Sequence, residues 1–193
     1  MSPQAGAHDA RAQRFFFALR PDPQAAAALA GLAVRLAAQV GGRPLAAVDL
    51  HLTLAFVGAR NAADTARLAD MLDGLLPAVQ AAQPPCIPFA LSQLGAFGPK
   101  LLWIGPAQPI DWVQALSDGL RRRLTEAGVD HDERPLRAHL TLLRGARRAT
   151  AARGTVAPIA PAGWTLCLGW SGLDSTPQRR YQWHCHDTVK LAS

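Results

Sequence analysis

One tetrapeptide occurs twice in this chain, as His51-Leu52-Thr53-Leu54 and as His139-Leu140-Thr141-Leu142. Both copies lie in short apolar runs that are typical of β-strands. Because successive side chains of a strand point to opposite faces, each copy presents its histidine and threonine on one face and its leucines on the other. The pattern therefore predicts two strands that bury leucines and carry an imidazole beside a hydroxyl.

The repetition decides how the histidines are interpreted. A single His-x-Thr on a half-buried strand is more often a hydrogen-bonded histidine than a catalytic one. Two copies in different halves of the chain indicate two related lobes, since their separation is too long for a short-period solenoid. Facing lobes would bring His51, Thr53, His139 and Thr141 around one cleft, as a general acid, a general base and two hydroxyl donors.

Further stretches carry a family resemblance. They are residues 14–19, 48–58, 95–97, 101–105, 138–144, 170–173 and 181–183. On these residues the chain resembles the 2H phosphoesterase superfamily, which is named for its paired His-x-Thr-x motifs, and within it the bacterial cyclic phosphodiesterases of the 2′-5′ RNA ligase family. The resemblance runs from about Arg14 to Lys190. Ala138 stands where the family usually has proline, and this change touches no chemical group.

The resemblance implies an α+β fold with two pseudo-symmetric lobes of antiparallel sheet, flanking helices and a central cleft. The mixed order of strands and helices agrees with this class. Sequence patterns predict strands over residues 14–20, 48–57, 86–94, 101–105, 138–144, 164–173 and 180–188, helices over 21–40, 62–83 and 109–127, and a loop over 145–162. We expect residues 1–13 to form a disordered tail and residues 14–193 a single bilobal domain.

The resemblance also implies an activity, which is hydrolysis of RNA 2′,3′-cyclic phosphate ends to 2′-phosphates with no metal or other cofactor. His51 would be the proton donor to the 3′ oxygen and His139 the proton acceptor from water, with Thr53 and Thr141 on the phosphate oxygens. The residues themselves do not assign acid and base, because the two motifs are locally equivalent. Ligation of 2′-5′ RNA ends and non-catalytic RNA or nucleotide binding are the alternatives, although a decayed site is expected to lose part of this set.

Three further residues are predicted to bind substrate: Arg144, Phe56 and Tyr181. Arg144 follows His139 by the same offset as Phe56 follows His51. The resemblance implies that Arg144 binds phosphate, but strict alternation would place it on the face opposite His139. It therefore needs a bulge or a strand end to turn inward. Tyr181 offers a ring on which a base could stack.

The net charge of the chain indicates which kinds of partner it binds. The net charge is +6 and the pI is about 10.2, which favours a polyanionic partner, although excess arginine also aids solubility. We expect RNA ends or cyclic nucleotides as partners, no obligate protein partner and no membrane span. A basic loop with Arg147, Arg148 and Arg153 either follows an RNA backbone or is simply solvated.

The cysteines and the remaining histidines carry weaker signals. Cys86, Cys167 and Cys185 are odd in number and lack C-x-x-C spacing, which predicts buried thiols without a disulfide, in a reducing cytoplasm. His184 and His186 share one strand face, as zinc ligands could. We expect no carboxylate and no second cysteine pair to complete a site with these two rings, and therefore no metal site there.

Overall fold

The computed structural model describes residues 13–61, 64–81, 87–176 and 179–189. Its strands are β1 (Gln13–Pro21), β2 (Arg43–Pro44), β3 (Leu52–Arg60), β4 (Leu91–Phe97), β5 (Leu101–Gly105), β6 (Leu140–Arg144), β7 (Gly154–Ile159), β8 (Trp164–Thr176) and β9 (Arg179–Val189). Its helices are α1 (Pro23–Val40), α2 (Asp64–Ala81) and α3 (Asp111–Glu126), with 3-10 turns at Ala47–Asp49 and Ala149–Ala152. The predicted α+β class is confirmed.

All strands join one antiparallel sheet in the order β7-β4-β5-β6-β3-β1-β8-β9, and β2 pairs with β6. The register between β3 and β6 consists of the pair Leu52 and Leu140. The sheet thus divides at this junction into a first lobe (β3, β1, β8 and β9) and a second lobe (β6, β5, β4 and β7). The leucines of both motifs are buried in the core, as the alternation predicted.

Helices cover the core face of the sheet. In α1, Asp22 caps the first turn by accepting hydrogen bonds from the N–H groups of Gln24 and Ala25, and a proline occupies the first helical position. The helix ends at Gly41, whose φ of 72° suits glycine. The helix α1 contacts β2 and β6, whereas α3 contacts β3.

Several predicted boundaries were wrong. The strand β1 begins at Gln13, and the stretch before His51 forms a 3-10 turn, so that β3 starts at Leu52. The strand β4 starts at Leu91. The predicted loop at 145–162 contains β7, an edge strand paired with β4. The residues of β7 are exposed or half-buried, so the strand lacks the apolar alternation on which its recognition depends. Of the expected tail over residues 1–13, residues 1–12 lie outside the described residues, and Gln13 belongs to β1.

The prediction of unpaired thiols was also wrong, because Cys167 and Cys185 form a disulfide. They are register partners on β8 and β9, with Cα atoms 4.1 Å apart. Adjacent antiparallel positions are within the reach of a disulfide, and this proximity depends on strand register rather than on spacing along the chain. Cys86 lies outside the described residues. No described helix is long and apolar enough to cross a membrane.

Candidate active site

The junction between the two lobes brings the two motifs together. Leu52 and Leu140 are paired, and both side chains are buried on the core face. Because side chains alternate along a strand, the residues on either side of each leucine point to the opposite face. His51 and Thr53 from the first lobe therefore share a surface with His139 and Thr141 from the second. The protein has both histidines and both threonines at this one junction.

Both motif strands carry an irregularity at the same position. In the pairing of β3 with β1, Thr53 lies opposite Ala18 and Ala55 opposite Phe17, so Leu54 is an extra residue. In the pairing of β6 with β5, Leu142 is the extra residue in the same way, between Thr141 and Leu143. Each extra residue reverses the alternation beyond it.

This reversal explains how Arg144 turns inward. Leu142 and Leu143 are both buried, and Arg144 then returns to the face that carries His139. Its Nη2 donates a hydrogen bond of 3.3 Å to the hydroxyl of Tyr181, which belongs to β9 in the other lobe. Phe56 occupies the equivalent place in the first lobe, and 38% of its surface is exposed. Arg144 and Tyr181 thus lie together at the junction, while Phe56 lies farther along β3, the strand that follows His51.

Both catalytic candidates have the same proton arrangement. Nδ1 of His51 is 2.7 Å from the carbonyl oxygen of Asp49, and Nδ1 of His139 is 2.6 Å from that of Arg137. A carbonyl oxygen only accepts, so each Nδ1 carries a hydrogen and donates it. Nε2 is therefore the nitrogen that is left for proton transfer in each ring.

Aromatic side chains enclose His51. Phe16 stacks on its ring with centroids 4.7 Å apart, and the rings of Tyr181 and Trp183 meet it edge-on at 5.2 Å and 5.3 Å. Phe16 fits because Gly169 lies beneath it, where a Cβ would come within 2.7 Å of the phenyl ring. His51 is consequently buried, with 9% of its surface exposed.

The surroundings of His139 are more open. Phe97 meets its ring edge-on at 4.9 Å, and Trp103 does so at 5.9 Å. Trp103 lies over Gly95, where a Cβ would come within 2.0 Å of the indole. Phe97 is 39% exposed, and the exposed Arg137 covers both aromatic rings with its guanidinium group.

Burial is the largest influence on the pKa of both imidazoles. It lowers the pKa of His51 to about 4, with further lowering by the charges of Arg144 and His139 and partial opposition from the hydrogen bond to Asp49. The pKa of His139 is also lowered, first by burial and then by the charges of Arg137 and Arg144. Arg144 therefore acts electrostatically on both rings.

A second property of Arg144 points to an anion. Its Nε is buried, and it has no hydrogen-bond partner among the described residues. A buried N–H without a partner costs about 1–3 kcal/mol, which an oxygen of a bound phosphate would offset. Thr141 is buried and Thr53 half-buried at the same junction, which thus combines a cation, two hydroxyls and two imidazoles.

Other predicted features lie away from the junction or differ from expectation. Arg147 and Arg148 are exposed, and Arg153 donates a hydrogen bond to the carbonyl of Ala96. The assumption that no carboxylate approaches His184 and His186 was wrong, because Asp73 of α2 contacts both rings. Within the described residues, no group of three or more His, Cys, Asp or Glu side chains is arranged to hold a metal ion.

Sequence reasoning did not assign a role to four residues of the site. They are Phe16, Asp49, Phe97 and Arg137. Asp49 and Arg137 precede their histidines by two residues, and this common offset was a signal that could have identified the carbonyl groups. The aromatic residues lay within the stretches of the family resemblance, but their contacts with the imidazoles depend on strand register.

The paired His-x-Thr strands and the bilobal sheet define the class of protein. The chain belongs to the 2′-5′ RNA ligase superfamily, whose model matches residues 21–167. The resemblance inferred from the sequence is thereby confirmed.

Individual relatives agree with this assignment. The RNA 2′,3′-cyclic phosphodiesterase of Escherichia coli (strain K12) is 33% identical over 109 residues, which are 56% of this chain and 58% of the relative. The matched part of the chain thus spans somewhat more than half the length of that relative. The crystal structure of E. coli LigT complexed with 3′-AMP has a TM-score of 0.65 at 25% identity and covers 94% of this chain and 99% of its own. The Thermus thermophilus protein TT0787 has the same fold, with a TM-score of 0.58 at 22% identity over 92% of this chain and 97% of its own.

Proposed function

We propose that this protein hydrolyses the 2′,3′-cyclic phosphate ends of RNA to 2′-phosphates, with His51 and His139 as the acid–base pair. The observation that carries the proposal is the junction itself, where two imidazoles with available Nε2 atoms flank one arginine. The similarity to the E. coli RNA 2′,3′-cyclic phosphodiesterase supports the same substrate class.

In this mechanism, Nε2 of His139 removes a proton from a water molecule as its oxygen attacks phosphorus. The bond between phosphorus and the 3′ oxygen breaks, and Nε2 of His51 gives its proton to that oxygen. The products are a 2′-phosphate and a 3′-hydroxyl, and proton exchange with solvent restores both rings. Each positioned proton transfer contributes about 10²- to 10⁴-fold to the rate. Arg144, Thr53 and Thr141 stabilise the charge on the non-bridging oxygens.

The low pKa of His51 has a consequence for its role as the donor. A pKa of about 4 leaves only about 10⁻³ of the free protein protonated at this site at neutral pH. A bound phosphodiester anion offsets the charge of Arg144 and raises the pKa, so that His51 gains its proton mainly in the substrate complex. An imidazolium with an intrinsically low pKa is also a stronger acid toward the leaving oxygen.

The test of the proposal is product identification. EDTA-treated protein is incubated with 2′,3′-cyclic mononucleotides and with oligoribonucleotides that end in a cyclic phosphate, and phosphorus NMR distinguishes 2′- from 3′-phosphates. We expect 2′-phosphates without added metal. Loss of activity in EDTA and recovery with Zn²⁺ or Mn²⁺ would overturn the mechanism. A parallel incubation with a 5′-hydroxyl RNA acceptor measures ligation, and ligation in excess of hydrolysis would favour that reaction instead.

The substrate-binding part of the proposal includes Tyr181, Phe56 and the basic loop. We expect RNA-end binding to weaken with salt more steeply than mononucleotide binding does, because more phosphates are neutralised. Arg147→Gln with Arg148→Gln should lower the salt slope for the RNA end by about 1.4, at roughly 0.7 per contact to a single strand. Arg122→Gln with Arg123→Gln, a second exposed pair on α3, is the matched control. Equal slopes in the two double variants would remove the loop from the interface.

A further inference from the structure

A buried carboxylate joins the first motif to the β8–β9 hairpin. Asp49 lies two residues before His51, the first residue of the motif, and only 2% of its surface is exposed. Its Oδ2 accepts a hydrogen bond of 2.7 Å from the backbone N–H of Arg180, and its Oδ1 accepts one of 3.1 Å from that of Tyr181. Hydrogen bonds to a carboxylate are roughly twice as strong as neutral ones, so this contact is a firm link between distant parts of the chain.

The position on the hairpin explains why these N–H groups need a partner. The pairing of β8 with β9 is irregular between the pairs Ser171–Tyr181 and Thr176–Arg179. An irregular ladder leaves backbone groups to be satisfied from outside it. The carboxylate of Asp49 satisfies two of them, and it thereby fixes the backbone that carries Tyr181.

Tyr181 in turn contacts two components of the site. Its ring meets His51 edge-on at 5.2 Å, and its hydroxyl accepts the hydrogen bond from Arg144. Because only one residue separates Asp49 from His51, its carboxylate could be taken for the group that orients the imidazole. However, the group that holds Nδ1 of His51 is the backbone carbonyl of Asp49, and the carboxylate holds the hairpin.

We propose that Asp49 is a positioning residue, whose carboxylate places Tyr181 so that its hydroxyl holds Arg144 against the phosphate site. The inference rests on the proposed function for its effect on catalysis. Asp49 acts through Tyr181 and Arg144 and touches no reacting atom. Its side chain can be changed without altering the carbonyl that sets the tautomer of His51.

The chain offers a matched control for the test. Asp22 also bridges distant segments through its carboxylate, with Oδ2 accepting a 2.7 Å hydrogen bond from Ala162 while Oδ1 caps α1. Asn at either position keeps the shape and one acceptor oxygen, and it replaces the other acceptor with a donor. We expect Asp49→Asn to lower kcat/KM on a cyclic mononucleotide by about tenfold or more, and Asp22→Asn to change it less than twofold at a temperature where both variants are folded.

Two readouts separate positioning from stability. Tyr181 is the single tyrosine of the chain, so ¹⁵N-tyrosine labelling gives one backbone resonance. That resonance should shift in Asp49→Asn and stay unchanged in Asp22→Asn. In addition, Tyr181→Phe and Asp49→Asn should be non-additive in kcat/KM, whereas Tyr181→Phe and Asp22→Asn should multiply.

The outcomes decide both proposals separately. An unchanged tyrosine resonance in Asp49→Asn, or full multiplication of its effect with that of Tyr181→Phe, overturns the positioning role. If the wild type hydrolyses no cyclic phosphate, the proposed function fails, and the inference is then judged by titrating inorganic phosphate against the tyrosine resonance. Weaker phosphate binding in Asp49→Asn than in Asp22→Asn supports it, and equal binding overturns it.

Discussion

The two halves of the site share a local design and differ in what covers them. His51 and His139 begin the same tetrapeptide, hold Nδ1 to a carbonyl two residues back, and precede a strand with one extra leucine. The ring of His51 is enclosed by Phe16, Tyr181 and Trp183, whereas that of His139 meets the exposed Phe97. A repeated sequence thus fixes which ring nitrogen is bonded to the backbone and which is available for proton transfer, while the surrounding strands set how readily each ring becomes charged.

The most demanding test of this comparison removes each imidazole ring in turn. We expect His51→Ala and His139→Ala to lower kcat on a cyclic phosphate by at least about 10²-fold each, because each loses one proton transfer. His131→Ala is the control, since its Nδ1 makes the same bond to a carbonyl two residues back from the loop after α3. The measurement is steady-state kinetics on variants whose folding is verified by circular dichroism.

The pH dependence of the two variants assigns the roles. If His139 is the base, its removal abolishes the acidic limb of the profile, and removal of His51 as the acid abolishes the alkaline limb. The limbs of the wild type belong to the coupled pair of rings. Full activity of either alanine variant would exclude the replaced histidine from the mechanism. Loss of the alkaline limb in His139→Ala and of the acidic limb in His51→Ala would reverse the assignment of acid and base.

The difference in burial predicts a difference in stability against acid. The pKa of His51 is lowered from 6.5 to about 4 in the folded protein, so between these values the unfolded chain binds more protons. Stability therefore falls as the pH falls through this window, by up to about 3 kcal/mol for this one group. His51→Gln should reduce the loss of unfolding free energy between pH 7 and pH 4.5 by about 2–3 kcal/mol.

His139→Gln provides the comparison within the same experiment. The ring of His139 is more exposed, so its replacement should recover less of the acid-induced loss. Urea unfolding at the two pH values gives the required free energies. If both variants recover the same amount of unfolding free energy at low pH, burial does not lower the pKa of His51 more than that of His139.

Arg144 belongs to both halves, and its removal should act on both in the same direction. Its charge lowers the pKa of both histidines, so both limbs of the kcat/KM profile should move to higher pH in Arg144→Gln. In the wild type, the pKa values of both histidines lie below 6.5, so kcat/KM should decline above about pH 6.5. We also expect a loss of about 10- to 100-fold from the missing charged hydrogen bonds to phosphate.

Arg147→Gln, in the exposed loop after β6, is the control for Arg144→Gln, and its limbs should stay in place. The measurement is kcat/KM from pH 4.5 to 8.5 on a cyclic mononucleotide. A wild-type plateau that extends to pH 8 would contradict the lowered pKa values, and movement of one limb alone would restrict the influence of Arg144 to one lobe.

The features of the site that depend on the alternation of side chains along one strand could be predicted from the sequence. Alternation placed His51 and Thr53 together, and the offset of Arg144 required an irregular strand, which is present at Leu142. The same pattern could not say which residue would be extra, because each motif offers several apolar positions that could bury. It also gave no signal for β7, whose side chains do not alternate.

Other features depend on long-range register, which no local pattern contains. The disulfide joins Cys167 to Cys185 because β8 and β9 pair in one particular alignment. The partners of Asp49 are backbone N–H groups, which every residue except proline possesses, so no side chain at 180 or 181 marks the contact. Sequence patterns therefore predicted which side chains meet at the junction better than the residues that hold them in place.

The smallest expected effect concerns the disulfide, which lies in the hairpin that contributes Tyr181 and Trp183 to the surroundings of His51. The pairs Leu168–His184 and Thr165–Thr188 continue the strand pairing on both sides of the disulfide. Its reduction should therefore leave the aromatic side chains around His51 in place. We expect less than a threefold change in kcat/KM in Cys167→Ser with Cys185→Ser, although the unfolding free energy should fall by about 3 kcal/mol for a loop of this size.

Any change that does occur should be confined to one half of the site. Looser packing would expose His51, and because burial is what lowers its pKa, only the limb that His51→Ala abolishes should move, toward higher pH. Cys86→Ser is the control for loss of a thiol. A tenfold loss of activity in the double variant, or movement of the limb that belongs to His139, would show that the two halves are coupled through the hairpin and that the covering of His51 is not an independent property of its lobe.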